Sequence, residues 1–489
     1  MDALHYMLAV FREPLLIALV AAGAFAGVYV GAIPGLSGTM AVSLLVSFTF
    51  GWSAPHALAL MIGVFMGAVF GGSRPAILLN IPGAPAAVAT GFDGYPLAQK
   101  GRAGEAMGLA ATQSFIGAIL GIVALAACAP LVARFALSFR SVDYLLLALI
   151  GLMTAGSVGG ASLKRGLIAG AIGLLIGCAG IDPQTAVRRF TFGSVYLNSG
   201  VDFVVAMIGL FGAAEALFQL TQMQTPPLKQ KAERIIPSWR TTLRYLPLSL
   251  RSAVLGVVVG ALPGAGGDIA ALLSYDQAKR TTKRPSAPFG QGALEGVIAP
   301  ETANNAAIGG AFIPMPTLGI PGDAVTAVLI SALTVHGLRP GPNLISSSPE
   351  LFWLIVACLI FAAFFMLLFG LSGIRLFSKI VETPKGVLMP LILVLSAIGA
   401  FAIRNSLYDI LWMFGFAVLG YFLKRYDYPV GPLVLGIILC PLCENNFRRG
   451  VMLEGSLPGL FISIFSSPLS IALLGAIVFL FVKTMNNER

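Results

Sequence analysis

Apolar runs interrupted by glycine and proline set the pattern of this chain. They fall at 15–33, 39–50, 54–72, 104–130, 143–160, 166–180, 201–220, 252–262, 268–275, 303–316, 322–335, 351–371, 386–402, 407–423, 430–442 and 468–484. A helix rises about 1.5 Å per residue, so about 20 apolar residues cross a bilayer core of roughly 30 Å. The runs 39–50, 252–262, 268–275 and the pieces around 303–335 are too short, and each is bordered or interrupted by Gly or Pro. Irregular backbone persists at membrane depth only where protein or a water-filled cavity satisfies its polar groups. The pattern predicts an all-α polytopic membrane protein with discontinuous helices, re-entrant hairpins and roughly 10–12 spans.

Composition narrows the picture further. Of 489 residues, 57% are hydrophobic and 11% charged, against about 25% charged in soluble domains. A soluble enzyme, a nucleic-acid-binding domain, a disordered chain and a single-span receptor are excluded. Most of the net charge of +10 belongs to loops that orient the protein, because Lys and Arg collect on the cytoplasmic side. Segment 224–251 carries Lys229, Lys231, Arg234, Arg240, Arg244 and Arg251 against Glu233, and 276–290 carries Lys279, Arg280, Lys283 and Arg284. With both inside, 252–275 is a re-entrant hairpin with its tip at 262–268. Lys164-Arg165 and Lys100/Arg102 also fall inside, whereas Arg134/Arg140 and Arg188-Arg189 fall outside, against the rule. The 337–350 loop, with only Arg339, reads as external.

The halves repeat each other. Gly27, Gly31, Pro34 and Gly35 recur at identical spacing as Gly256, Gly260, Pro263 and Gly264, an offset of 229. Gly71-Gly72 leading to Asn80-Ile81-Pro82-Gly83 recurs as Gly309-Gly310 leading to Gly319-Ile320-Pro321-Gly322, an offset of 239 at the proline. The loop after the first copy reads as internal and its counterpart as external, the sign change of inverted-topology repeats found in secondary transporters. The division is a first repeat over 1–223, a basic cytoplasmic linker over 224–251 and a second repeat over 252–489.

A Pro-Gly break at mid-membrane starts a half-helix whose first amides lack partners. Those amides and the helix dipole attract an anion. Four converging breaks, at Pro34-Gly35, Pro82-Gly83, Pro263-Gly264 and Pro321-Gly322, would cage an anionic substrate with few buried cations. Beside them stand Ser37, Ser73, Asn80, Gly266, Asn304 and Asn305 as neutral candidates, and Thr39, Asp268 and Glu301 as cation ligands. The plainer alternatives are that Asp268 caps 269–275, that Glu301 is an acidic helix N-terminus, and that the Asn, Ser and Thr side chains glue helices together. Arg74 and Asp323 are ionisable at membrane depth, where charge is expensive. Arg74 binds a substrate carboxylate or pairs with Asp323; alternatively it snorkels while Asp323 caps a half-helix.

The motifs Gly31-Ala-Ile-Pro-Gly35, Gly71-Gly72-Ser73, Asn80-Ile81-Pro82-Gly83, Asp93-Gly94-Tyr95-Pro96-Leu97, Phe289-Gly290, Glu295-Gly296, Ala299-Pro300-Glu301 with Asn304-Asn305, and Gly319-Ile320-Pro321-Gly322 together resemble the large membrane subunit of bacterial tripartite tricarboxylate transporters. The resemblance spans nearly the whole chain. It implies Na⁺-coupled carboxylate uptake across the bacterial inner membrane, a small four-helix membrane subunit and a periplasmic solute-binding protein. A homo-oligomer stays open. Arg74 and Asp323 depart from the family pattern, which has a small, hydroxyl or aliphatic residue and a serine there.

Rival readings are an intramembrane serine protease using Ser37 in Gly35-Leu36-Ser37-Gly38, and an anion channel. The repeat counterpart of Ser37 is Gly266, which fits binding better than catalysis. The histidines, His5, His56 and His336, have no metal spacing. Cys128, Cys178, Cys358, Cys440 and Cys443 read as packing residues; Cys440-Pro-Leu-Cys443 lacks the second pair that a zinc site needs. The N-terminus shows no basic n-region or cleavage site, so its apolar stretch is expected to stay.

Overall fold

A computed structural model describes residues 5–7, 10–33, 36–80, 82–157, 163–182, 185–221, 239–372 and 385–487. The Pro34-Gly35 break and most of the basic linker, with Lys229, Lys231, Glu233 and Arg234, lie outside the described residues.

The first half runs α1 (Pro14–Ala32), α2 (Gly38–Phe48), α3 (Ala54–Gly71), α4 (Ser73–Leu79), α5 (Ala87–Leu97), α6 (Ala103–Ala136), α7 (Ser141–Ser157) and α8 (Leu163–Gly177). A two-residue antiparallel pairing of β1 (Gly180–Ile181) with β2 (Arg188–Arg189) follows, then α9 (Phe203–Thr221). The second half runs α10 (Leu246–Gly260), α11 (Gly266–Thr281), α12 (Glu295–Phe312), α13 (Pro314–Leu318) and α14 (Ala324–Val335). It ends with α15 (Pro349–Ser372), α16 (Lys385–Arg404), α17 (Leu407–Arg425), α18 (Val430–Leu453), α19 (Leu457–Ile464) and α20 (Pro468–Asn487).

Among the described residues, 7 helical segments are long and apolar enough to cross a membrane, or 8 if α19 and α20, bent by 91°, form one broken span. The expected 10–12 spans therefore require that some shorter apolar helices, such as α2, α10 and α14, also take part. The protein is an all-α, multi-pass membrane protein.

Helix pairing uses glycine, because apolar side chains gain little by leaving lipid for one another and close backbone approach supplies the attraction. A Cβ at Gly27 would stand 2.3 Å from Val64 O, and one at Gly31 2.1 Å from Ala68 O, so α1 and α3 touch backbone to backbone. The second half does the same: a Cβ at Gly256 or Gly260 would lie 2.3 Å from Ala303 O or Ala307 O. Each contact maps onto its counterpart by moving 229 residues in the first helix and 239 in the second (27 to 256, 64 to 303). The shifts read from the motifs are thus also the shifts of the packing, with Gly71 rather than Gly72 matching Gly310 across the seam.

Buried along its whole length, α12 is the central helix. It packs on α6 through Gly117 and Gly121, where added Cβ atoms would come within 2.2 Å of Thr302 O and 2.5 Å of Ala306 O. Between the halves, α2 packs on α14 and α11 packs on α5.

Candidate functional site at the helix breaks

The two Ile-Pro-Gly breaks share one local geometry. Asn80 ends α4 in the left-handed region (φ 56°) with its N–H donating to Pro75 O. Gly319 ends α13 likewise (φ 70°), with its N–H on Pro314 O and Met315 O. Each break then folds against the end of its half's first helix. A Cβ at Gly83 would stand 2.3 Å from Gly31 O, and one at Gly322 2.7 Å from Gly260 O.

The third break, Pro263-Gly264, brings the halves together. Its turn, with Gly264 at φ 77° and Gly266 at φ 62°, delivers Asp268 in the first turn of α11. The Asp268 Oδ1 accepts the N–H of Ala86 (3.1 Å) from the break of the other half. Asp323 lies within electrostatic reach of Asp268, and its Cβ is 3.2 Å from where Gly266 would carry one. Asn304 Oδ1 lies 2.2 Å from where a Cβ on Gly267 would stand. Asp268 is exposed although protein surrounds it closely, as a group lining an internal space would be.

Exposure divides the expected site residues into two sets. Asn80, Pro82 and Asp268 are exposed, and Ser37, Gly264 and Asp323 are intermediate. Thr39 (9%) and Asn304 (5%) are nearly closed off, while Gly83, Pro263, Gly266, Pro321 and Gly322 are buried backbone of the turns. Ser73, Arg74, Glu301 and Asn305 form a layer behind the breaks, each no more than 2% exposed.

That rear layer differs from several expectations. Arg74 does not pair with Asp323: its guanidinium donates to Gly370 O and Phe369 O at the end of α15 and lies 5.2 Å from the Phe70 ring centroid. The Asp323 carboxylate instead caps α14, accepting from Thr326 N (2.7 Å) while Thr326 Oγ1 accepts from Asp323 N (2.9 Å). Glu301 is no helix N-terminus; it is inside α12, accepting hydroxyl hydrogens from Thr90 (2.6 Å) and Ser114 (2.7 Å). The Ser73 hydroxyl, donating to Phe70 O, also lies beside it. Asn305 Nδ2 donates to Glu301 O (3.0 Å). Ser37 is the cap of α2, its hydroxyl accepting from Met40 N (3.1 Å).

Sequence reasoning missed a further buried tie between the halves. Asp93 is fully buried, its Oδ1 accepting N–H groups from Gly290, Gly292 and Ala293 (2.8 Å each) and its Oδ2 the Tyr275 hydroxyl (2.9 Å). Two motifs noted only as marks of resemblance, Asp93-Gly94 and Phe289-Gly290, are thus one contact between the halves. A buried acid in a glycine-flanked motif was the available signal. The five cysteines are free thiols, and two that the sequence places far apart meet in the fold, Cys178 Sγ lying 3.4 Å from Cys440 Sγ.

Fold and site define a multi-pass membrane transport protein with broken helices meeting at its core. The chain belongs to the tripartite tricarboxylate transporter TctA family, whose description matches residues 17–435. Two relatives are from Agrobacterium vitis. An uncharacterized 52.8 kDa protein in the TAR-I ttuC' 3' region is 36% identical over 435 residues, covering 88% of this chain and 86% of the relative. An uncharacterized protein in the TAR-II ttuC' 3' region is 38% identical over 220 residues, covering 45% of this chain and 89% of the relative. No solved structure matches. Family membership makes the chain a membrane subunit of a tripartite tricarboxylate transporter, a system that includes a binding protein and a small membrane subunit.

Proposed function

We propose that the chain imports a carboxylate across the bacterial inner membrane by Na⁺-coupled alternating access, taking its substrate from a periplasmic solute-binding protein and working beside a small four-helix subunit. The two halves are inverted repeats in this reading. The bond from Ala86 N–H to Asp268 carries the proposal. The amides of a helix start favour a carboxylate, and here one is already engaged by a carboxylate of the protein.

Na⁺ prefers oxygen ligands, and Asp268, with Asp323 nearby, offers them at an accessible position. The repeat offset of 229 also matches Asp268 to Thr39, the other expected cation ligand. A cation drawing Asp268 away from Ala86 would free that amide for the substrate carboxylate. Each ligand then raises the affinity for the other, as thermodynamic linkage requires. Glu301, buried among hydroxyls, supports the site from behind in this scheme.

Uptake into vesicles holding this chain and its small subunit tests the reading. Accumulation of a radiolabelled carboxylate should require both the binding protein and an inward Na⁺ gradient. Accumulation that ignores the gradient would rule out Na⁺ coupling; accumulation without the binding protein would rule out delivery. The Ser37 protease alternative predicts that Ser37→Ala abolishes all activity. The cap at Met40 N–H instead predicts retained uptake.

A further inference from the structure

We propose that Cys178 and Cys440 form a reversible disulfide that staples α8 to α18. Three of the five cysteines gather here: Cys178 just past the end of α8, and Cys440 and Cys443 one turn apart on α18. The Cys178 and Cys440 sulfurs are 3.4 Å apart, joining positions 262 residues distant in sequence.

The contact follows from a close helix seam. A Cβ at Gly173 would stand 2.0 Å from Leu433 O, one at Gly436 2.4 Å from Gly170 O, and one at Gly177 2.6 Å from Cys440 Cβ. Backbones this close leave room for little beyond two thiols at the end of the seam. Moving the sulfurs to the bonded distance of about 2.05 Å needs a shift that side-chain rotation and small backbone adjustment supply.

A metal is the competing occupant, since Cys178, Cys440 and Glu444 could each offer a ligand atom within 4.8 Å of the others. Glu444, however, is held by Arg189 (2.5 and 3.2 Å) and Arg448 (2.5 Å). Two guanidinium charges oppose a divalent cation and occupy its third ligand. The reaction balances with glutathione disulfide or a dithiol–disulfide oxidoreductase as oxidant. The two cysteines form one S–S bond and release two protons and two electrons, and the oxidant's S–S bond is reduced to two thiols. Cys178, only partly buried, is the sulfur that meets the oxidant first.

The full-length protein in its membranes, treated with glutathione disulfide or with dithiothreitol, is blocked with N-ethylmaleimide and digested for mass spectrometry. After oxidation, a linked pair of peptides carrying Cys178 and Cys440 is expected, with Cys443 alkylated. Dithiothreitol should return all three to the alkylated form. Alkylation of both Cys178 and Cys440 after oxidation, or a bond that uses Cys443 instead, would overturn the proposal. Stoichiometric zinc in the purified protein that shields these thiols until a chelator is added would replace it with a metal site. As a second readout, oxidation should raise the Tm of wild type and of Cys443→Ser, and leave that of Cys178→Ser unchanged. An equal rise in all three contradicts the staple.

Discussion

At the residue scale, the acids beside the breaks have separate duties. Asp323 is held twice by Thr326 and fixes the start of α14. Asp268 makes one long bond to a backbone amide and remains exposed, so it is the acid free to change partners. Asp93 is the anchor, and Asp93→Ala leaves two buried N–H groups, of Gly292 and Ala293, and the part-buried N–H of Gly290 without their acceptor. Each buried donor left without an acceptor typically costs about 1–3 kcal/mol. We expect a Tm fall of many degrees in a detergent melt, with little folded protein recovered. Arg74→Gln should lower stability by about 1.5–3 kcal/mol, the usual worth of hydrogen bonds to a charged group. Its KM for substrate should stay within twofold of wild type. A large KM increase with unchanged Tm would put Arg74 in contact with substrate after all. The expense of a charge at membrane depth marked Arg74 in the sequence, but its partners on α15 are 295 and 296 residues away. No local spacing encodes a contact of that length.

Among the elements, packing is duplicated as well as sequence. Gly31 and Gly260 each receive two neighbours, a carbonyl-bearing helix face and the Pro-Gly turn of the same half. Gly31→Val and Gly260→Val should therefore destabilise by similar amounts, about 1–3 kcal/mol for overpacking, as read by thermal unfolding of the purified variants. A tolerated change at one site and a severe one at the other would show that the two seams are not equivalent. This level was the most legible in the sequence, because glycine and proline punctuate a membrane helix wherever backbone must approach or reverse. The motifs located the breaks and gave both offsets. They did not reveal that α12 is the buried centre, since its Ala, Gly and Asn pattern has no polar face to distinguish it from a lipid-facing helix.

For the whole molecule, inversion of the repeats is a statement about sides of the membrane. A cysteine replacing Lys100, exposed after α5, should react with a membrane-impermeant maleimide only from the cytoplasm. One replacing Ser346, exposed in the short helical turn Leu344–Ser347 after α14, should react only from the periplasm. Labelling of both from one side would contradict the inverted arrangement. Of this scale, charge bias alone was readable, and the outside placement of Arg188-Arg189 ran against it. The structure supplies a local reason for one of the pair. Arg189 is held by Glu444, which also binds Arg448, so its charge contributes to packing as well as to topology.

The exchange of partners by Asp268 is the central claim, and the Na⁺ dependence of substrate affinity tests it most directly. Initial uptake rates are measured in vesicles over a range of carboxylate concentrations, with and without Na⁺, for wild type and Asp268→Asn. The account predicts that Na⁺ lowers the KM of wild type at least tenfold and leaves that of Asp268→Asn unchanged. An equal Na⁺ effect in both proteins would contradict it.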